Sequence, residues 1–129
     1  MRVLLIDDHA VVRSSLAYLL TTQPDVEVIG EAGDGREGVA LTRQLHPDVI
    51  LMDIHMPVMD GIEATQAIHA EFPTIRIIGL SMFETAEQID ALRAAGAVGY
   101  VGKVEQPATL LAALRGETRS LSRARWFRD

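Results

Sequence analysis

Five short apolar runs, separated by longer segments with helical periodicity, are the feature that most restricts how this chain folds. The runs lie at residues 3–6, 26–29, 49–52, 75–80 and 98–101. Most of them are apolar at consecutive positions, which is typical of strands that are buried on both faces. Such strands need a layer of helices on each side, so the pattern predicts parallel strands inside an α/β domain.

The segments between the runs carry apolar residues at helical spacing. In the first segment these residues share one face of an amphipathic helix, at i, i+4, i+7 and i+8: Val12, Leu16, Leu19 and Leu20. Similar spacing predicts further helices at residues 65–72, 89–95 and 110–114. Two glycines weaken the prediction for residues 35–45. Five strand–helix pairs in strict alternation imply right-handed crossovers and an open parallel sheet with helices on both faces.

Length and composition exclude several classes of protein. The chain has 129 residues, which is enough for one domain to bury a core without disulfides or a structural metal. Its 48% hydrophobic and 23% charged residues exclude disordered and fibrous proteins. It has no cysteine, which excludes disulfide frameworks and thiolate chemistry. No apolar run reaches the roughly 18 residues of a membrane span, so we expect a cytoplasmic protein without a membrane partner.

The charge is unevenly distributed along the chain. The formal net charge of −6 argues against broad non-specific binding of DNA or anionic membranes by the chain as a whole. Residues 1–114 contain seven basic and sixteen acidic residues, a net charge of −9, whereas residues 115–129 contain five arginines and two acids, a net charge of +3. Residues 116–129 lack strand or helix periodicity, so we expect a linker or tail there, with direct contact to nucleic acid as the alternative.

Polar residues stand where four of the apolar runs end. Asp7 and Asp8 follow the first run, Asp53 the third, Ser81 the fourth, and Lys103, the only lysine, the fifth. In an open α/β sheet, sites form beyond the carboxyl ends of the strands, where these side chains converge. Each residue alone has a structural explanation, since Asp8 and Ser81 could cap helices and Lys103 could be a surface charge. The set as a whole therefore indicates a site.

The residue types at this edge suit one kind of chemistry. Three clustered carboxylates repel one another unless a divalent cation lies among them, and oxygen ligands suit Mg²⁺. A phosphoryl group would explain the rest of the set, because Mg²⁺ and a lysine ammonium neutralise its oxygens while a hydroxyl donates a hydrogen bond. A carboxylate beside the metal can then act as the nucleophile and form an aspartyl-phosphate.

Several motifs resemble the receiver domain of two-component response regulators, the CheY-like fold. They are Asp7-Asp8, the stretch MDIHMPVMDG at residues 52–61, Ser81, and YVGK at residues 100–103. The resemblance covers residues 1–115 and implies a flavodoxin-like (βα)5 three-layer sandwich with a parallel five-stranded sheet of order 2-1-3-4-5. HMPVMDGIEAT and LSMFETAEQIDALRAAGAVGYVGK further resemble the NarL/FixJ type of transcriptional regulator, whose C-terminal domain is a LuxR-type helix-turn-helix.

The resemblance implies a role for each matching residue. Asp53 is expected to be the phosphoacceptor. The Mg²⁺ ligands are expected to be Asp8 and Asp53 directly, the backbone carbonyl of His55, and Asp7 through a water molecule. The phosphoryl-binding and switch residues are expected to be Ser81, Lys103 and Tyr100. Phe83 and His55 flank the expected path of attacking water, so we predict that they tune the lifetime of the phosphoryl group. Val104 follows Lys103 where the family commonly has proline, which makes a cis peptide there less favourable.

The resemblance also implies partners. A cognate histidine kinase would donate the phosphoryl group, and phosphorylation would reshape the face made by the fourth helix, fifth strand and fifth helix, where a receiver homodimer can form. DNA would be contacted only through an absent C-terminal domain beyond residues 116–129. The protein would be a signalling switch, with self-catalysed phosphoryl acceptance and autodephosphorylation only, and not an enzyme.

Two other functions remain as alternatives. A phosphatase or phosphotransferase with an aspartyl nucleophile typically needs a second acid two residues later, where this chain has His55. A phosphorylation-independent scaffold of the same fold usually loses the acceptor or the lysine, and both are present.

Two nearby residues are predicted to have structural roles. We expect His9 to lie on the surface at the start of the first helix. We expect Asp60 to cap the third helix, after the turn that contains Pro57.

Overall fold

The computed structural model describes residues 1–82, 84–103, 106–116 and 125–126. Within these residues the strands are β1 (Arg2–Ile6), β2 (Glu27–Ala32), β3 (Val49–Asp53), β4 (Arg76–Ser81), β5 (Gly99–Gly102) and β6 (Arg125–Trp126). The helices in the same part of the chain are α1 (Ala10–Thr21), α2 (Gly35–Leu45), α3 (Gly61–Glu71), α4 (Ala86–Ala95) and α5 (Pro107–Leu114).

The first five strands form a parallel sheet in the order β2-β1-β3-β4-β5. This confirms the predicted order of 2-1-3-4-5. β2 lies at one edge, and most of its residues are partly exposed, which explains why its run alternates more than the others. The register between β1 and β2 shifts between Val3 and Leu4, where the ladder is irregular.

Alternate residues of the central strands pack against two different helical layers. On one face the buried residues of the strands and of α1 and α5 form one cluster, which includes Leu5, Leu51, Leu20 and Leu114. On the other face the strands pack against α2 and α3 in a second cluster, which includes Ile6, Ile50, Val39 and Ile68. α4 packs beside α3 through a smaller cluster of Ile54, Leu92 and Ala97. The predicted three-layer sandwich is therefore confirmed.

The doubtful segment at residues 35–45 is a helix, and its glycines are explained by close packing. A Cβ on Gly38 would lie 2.5 Å from Cδ1 of Ile6, and a Cβ on Gly35 would overlap the carbonyl oxygen of Met59. Asp34 caps the helix, because its carboxylate accepts the N–H of Glu37 at 2.8 Å. The glycines therefore let α2 approach β1 and the loop before α3.

Two further features hold the ends of helices. Asp60 forms a capping box with Glu63 at the start of α3, which confirms its predicted role. At the other end of the molecule, the guanidinium of Arg76, the first residue of β4, donates to the carbonyl oxygens of Leu114 at 2.8 Å and Ala113 at 3.0 Å. These carbonyls lie at the end of α5, where the helix runs out of its own donors, and Arg76 supplies N–H groups to both; Ala113 also accepts the N–H of Gly116 at 3.1 Å.

The sheet also has a sixth strand that the sequence did not predict. Within the expected linker, Arg125 and Trp126 pair antiparallel with Tyr100 and Gly99 of β5. β5 is the edge of the parallel sheet, and an edge strand can accept a further strand through its outer backbone groups. Residues 117–124 and 127–129 lie outside the described residues.

None of the helices in the described part of the chain combines the length and apolarity needed to cross a membrane.

Candidate functional site

The carboxyl ends of four neighbouring strands meet at one edge of the sheet. Their registers place Ile6 beside Met52, Asp53 beside Leu80, and Ser81 beside Gly102. Residues that follow these positions must therefore lie close together, as the sequence predicts. The backbone N–H of Lys103 also donates to the carbonyl oxygen of Ser81 at 2.8 Å, which continues the β4–β5 ladder to the edge.

Lys103 is buried in the acidic cluster and is not a surface charge. Its Nζ lies 3.1 Å from Asp7 and 3.3 Å from Oδ2 of Asp53, and its side chain is 4% exposed. A buried ammonium needs charge partners, and these two buried carboxylates supply them. The only lysine of the chain thus lies directly beside Asp53.

The three carboxylates lie at different depths. Asp7 and Asp53 are buried, whereas Asp8 is partly exposed. Oδ1 of Asp7 accepts the N–H of His9 at 2.8 Å, and Oδ1 of Asp53 accepts the N–H of His55 at 3.2 Å. Their Oδ2 atoms are buried, and both face the single ammonium of Lys103, at 3.1 Å for Asp7 and 3.3 Å for Asp53. Two buried carboxylate oxygens that share one ammonium, with Asp8 beside them, fit a further cation, as expected for Mg²⁺.

Burial raises the pKa of Asp53 to about 7, with further upward contributions from a hydrogen bond to Asp8 and from the charge of Asp7. Lys103 opposes the rise by its charge and hydrogen bond. The cluster therefore contains more negative charge than the lysine neutralises. Asp8 does not cap α1, because His9 is the capping residue.

His9 lies exposed at the start of α1, as predicted, and its ring also reaches the acidic cluster. Its Nδ1 lies 3.3 Å from Oδ1 of Asp7, 3.2 Å from Oδ1 of Asp8 and 3.8 Å from Oδ2 of Asp53. The same atom lies 2.9 Å from Nζ of Lys103. The ring is 60% exposed, so one edge faces solvent while Nδ1 faces the acids. The hydrogen bond from its N–H to Asp7 turns the residue toward the cluster.

His55 has a partner that the sequence did not reveal. Its Nε2 lies 3.0 Å from Oε2 of Glu84, a carboxylate whose side chain is 1% exposed. The other carboxylate oxygen of Glu84 accepts the N–H of Met82 at 2.6 Å. The contact links the loop after β3 to the loop after β4. Phe83, the second residue expected to tune the phosphoryl lifetime, lies outside the described residues, as does Val104.

Ser81 and Tyr100 share one face of the sheet. Ser81 ends β4, and Tyr100 pairs in register with Gly79 on the same strand. Tyr100 is half-buried against Ile54 and Leu92, on the side that α4 covers. A Cβ on Gly79 would lie 2.6 Å from Cδ2 of Leu92, so glycine is needed for this packing. The aromatic ring thus lies one strand away from Ser81 and beneath α4.

A pocket of about 110 Å³ opens beside the cluster. It is lined by His9, Val12, Met82 and Lys103. Two of these residues, His9 and Lys103, also contact the carboxylates. The pocket therefore gives a small group direct access to the acidic edge.

Comparison with known proteins defines the class to which this fold and site belong. Residues 3–115 match the response regulator receiver domain, and the chain belongs to that family. It is therefore a receiver domain of the two-component type. The predicted resemblance is confirmed.

Among its relatives are transcriptional regulators. The chain is 49% identical over 118 residues to the transcriptional regulatory protein LiaR of Bacillus subtilis, covering 92% of this chain and 56% of LiaR. It is 37% identical over 121 residues to the response regulator protein VraR of Staphylococcus aureus, covering 94% of this chain and 58% of VraR. The chain thus spans a little over half the length of these curated relatives.

Solved structures show the same fold. The receiver domain of the putative response regulator NarL from Mycobacterium tuberculosis is 31% identical, with a TM-score of 0.84, covering 89% of this chain and 93% of that one. A LuxR-family two-component response regulator from Aurantimonas is 36% identical, with a TM-score of 0.83, covering 89% of this chain and 82% of that one. The likeness to the NarL and LuxR type agrees with the motifs in the sequence.

Proposed function

We propose that Asp53 accepts a phosphoryl group from a histidine kinase and that this modification switches the receiver domain. One observation carries the proposal: the buried carboxylate of Asp53 lies 3.3 Å from the buried ammonium of Lys103, beside Asp7 and Asp8. This arrangement holds a nucleophile next to a cation that can neutralise the incoming phosphoryl oxygens.

The transfer is a displacement at phosphorus. An oxygen of Asp53 forms the new P–O bond while the bond from phosphorus to the donor breaks, and the donor imidazole leaves with the electron pair. Lys103 stabilises the negative charge on the phosphoryl oxygens during the transfer. Ser81, at the end of the neighbouring strand, donates a hydrogen bond to one of these oxygens. Because this reaction modifies the protein itself, the chain acts as a signalling switch and not as an enzyme with a separate substrate.

Mg²⁺ is the cofactor that this donor set favours. Asp8 and Asp53 would hold it directly, Asp7 through water, and the backbone carbonyl of His55 would complete the protein ligands. When bound, Mg²⁺ supplies positive charge that offsets the clustered carboxylates and the phosphoryl oxygens. The N–H of His55 already holds Oδ1 of Asp53, which keeps the nucleophile oriented.

The response is a population shift between two arrangements of one face. Phosphorylation draws Ser81 toward the acidic edge, and Tyr100, on the same face of the sheet, turns inward. The affected surface is formed by α4, β5 and α5, where a second receiver can bind. His55 and Phe83 would set how long the modified state lasts by restricting the approach of water.

The output proposed for the intact protein is control of transcription. LiaR is a transcriptional regulatory protein, and this chain covers only 56% of its length. We therefore assign residues 1–115 to the receiver and residues 116–129 to a connection toward a DNA-binding domain outside this chain. In this arrangement DNA is contacted by that domain, and the protein acts in the cytoplasm together with its kinase.

Labelling with acetyl phosphate and Mg²⁺ tests the assignment. We expect the wild-type chain to gain one phosphoryl group by intact-mass spectrometry, the D53N variant to gain none, and D90N, a change at the exposed surface of α4, to label like the wild type. Retained labelling of D53N would overturn the assignment. A wild-type chain that does not label would support a phosphorylation-independent scaffold, and turnover of a small phosphoester would support the phosphatase.

A further inference from the structure

We propose that Arg13 is a positioning residue for the cation site: its guanidinium holds the peptide bond between Asp7 and Asp8 and so sets how tightly Mg²⁺ binds. The inference rests on the cation site proposed above, and it concerns a helix residue and an edge strand, β2, that supply no ligand themselves. Arg13 lies near the start of α1, just after the loop that carries the two acids.

The backbone of Asp7 is fixed on both sides by groups outside its loop. Its N–H donates to the carbonyl oxygen of Ala32, the last residue of β2, at 3.0 Å. Its carbonyl oxygen accepts an N–H from Nη1 of Arg13 at 2.5 Å. That carbonyl belongs to the planar peptide unit that ends at the Cα of Asp8. The hydrogen bond from Arg13 therefore restricts the point from which the side chain of Asp8 starts.

Asp8 depends on its backbone more than the other two acids do. The carboxylates of Asp7 and Asp53 are buried against the ammonium of Lys103. The side chain of Asp8 is partly exposed, so burial alone does not hold it in one place. A rotation of the peptide before Asp8 would move its carboxylate away from the other two. The hydrogen bond from Arg13 thus favours the arrangement in which the three carboxylates converge.

Glu31 holds the guanidinium of Arg13 from the side of β2. Nε of Arg13 lies 3.1 Å from Oε1 of Glu31, so Nε and Nη1 serve a carboxylate and a carbonyl at the same time. The rigid, planar guanidinium suits two such partners. The side chain of Arg13 is only 22% exposed, against 57% for Arg43, whose Nε makes a similar pair with Glu71 at 3.0 Å. Through Arg13, β2 takes part in the acidic edge without giving it a ligand.

The charge and the position of Arg13 act on Mg²⁺ binding in opposite directions. A positive charge near the site repels an incoming cation, so removal of the charge alone would strengthen Mg²⁺ binding. Removal of the hydrogen bond to Asp7 would weaken it, because the carboxylate of Asp8 would no longer be held where the cation binds. The two effects therefore predict opposite signs for the same substitution.

Three variants of the full chain test the positioning role. R13M removes the guanidinium, and R13M/E31Q removes it without a change in net charge. R43M removes an arginine from the exposed pair with Glu71 and is the matched control. Circular dichroism and thermal melting confirm that the variants fold. Calorimetric titration with Mg²⁺ gives the dissociation constant, and labelling by acetyl phosphate at increasing Mg²⁺ concentration separates half-saturation from the maximal rate.

In R13M and in R13M/E31Q we expect Mg²⁺ to bind roughly ten-fold more weakly, with the labelling rate at saturating Mg²⁺ within about two-fold of the wild type. R43M should match the wild type in both measurements. In the metal-free protein, the nuclear magnetic resonance signal of the Asp8 N–H should shift in R13M and stay in place in R43M.

The outcomes distinguish this role from the cation site itself. Unchanged or tighter Mg²⁺ binding by R13M would overturn the positioning role while the site remained, and so would an equal loss in R43M. An unshifted Asp8 signal in R13M would contradict the hold on the peptide bond. A wild-type chain that binds no Mg²⁺ would overturn the cation site, and this inference with it.

Discussion

The imidazole of His55 and the buried carboxylate of Glu84 are in contact, with Nε2 and Oε2 3.0 Å apart. His55 comes two residues after Asp53, and Glu84 comes three residues after Ser81. The contact therefore joins the loop after β3, which ends at Asp53, to the loop after β4, which ends at Ser81. Because Glu84 is 1% exposed while the imidazole is 56% exposed, the carboxylate is the fixed partner that holds the ring in place.

In the E84Q variant the carboxylate that contacts the imidazole of His55 is replaced by a neutral amide, and the imidazole should be held less firmly. We expect the phosphoryl group on Asp53 to hydrolyse about five-fold faster, because a freed imidazole shields it less from water and about 1 kcal/mol of positioning energy is lost. Loss of label over time, after removal of acetyl phosphate, measures the rate. E87Q, the same change at an exposed position of α4, is the matched control. Equal lifetimes for E84Q and wild type would show that the contact does not protect the phosphoryl group.

The stability of the metal-free protein should depend on the ionisation of Asp53. Its pKa is about 7 in the folded chain, mainly because the carboxyl is buried, against a value of 3.8 when unperturbed. The folded state therefore binds this proton more tightly than the unfolded state, and the contribution of Asp53 to the free energy of unfolding falls as the pH rises from about 4 to 7.

The D53N variant isolates this contribution because asparagine does not ionise. In a chelator, we expect D53N to become more stable than the wild type as the pH rises from about 5 to 7.5, by up to a few kcal/mol in urea unfolding. Saturating Mg²⁺ should remove the difference, since a bound cation favours the ionised carboxylate. A difference that is constant with pH would contradict the raised pKa.

Lys103 should be essential to the stability of the cluster. In K103M the carboxylates of Asp7 and Asp53 lose their buried charge partner, and we expect the free energy of unfolding to fall by about 3–5 kcal/mol without divalent ions. Mg²⁺ should restore part of the loss. R93M removes a cation from the exposed pair with Asp90 and should cost less than about 1 kcal/mol. Comparable losses in the two variants would show that Lys103 is an ordinary surface charge.

Gly61 allows the start of α3 to lie close to the backbone of Asp53. A Cβ at this position would overlap the carbonyl oxygen of Asp53, so G61A should destabilise the protein by about 2 kcal/mol and slow labelling by moving that residue. G33A is the control, because a Cβ there would meet its nearest atom at 3.6 Å, an ordinary contact. Urea unfolding and acetyl phosphate labelling of both variants measure the two effects. Equal stability of G61A and G33A would contradict the close approach.

The sequence predicted those parts of the site that follow from strand ends. Asp7, Asp53, Ser81 and Lys103 each follow or close an apolar run, and parallel strands bring all such positions to one edge whatever the details of their loops. The order of the strands in the sheet was predicted from the family resemblance alone. Periodicity alone does not say which strands are neighbours.

The parts that were missed depend on loop backbone and on contacts between distant residues. The contacts of exposed His9 were not predicted: its N–H donates to Asp7, and its Nδ1 lies beside Nζ of Lys103, which is 94 positions away in the sequence. Glu84 has no sequence signal for its contact with His55, because the two residues lie in different loops that only the fold brings together. The strand at Arg125 and Trp126 pairs through backbone groups and is too short to show a side-chain pattern.

Arg76 and Ser81 are the two ends of β4, and the strand between them is hydrogen-bonded on both sides. As an extended strand of six residues, β4 spans roughly 17 Å and has little freedom to change its length. Ser81 lies at the acidic edge of the sheet, and the guanidinium of Arg76 donates to the last two carbonyl oxygens of α5. A shift of Ser81 that moved β4 as a unit would therefore also move the guanidinium that binds the last turn of α5.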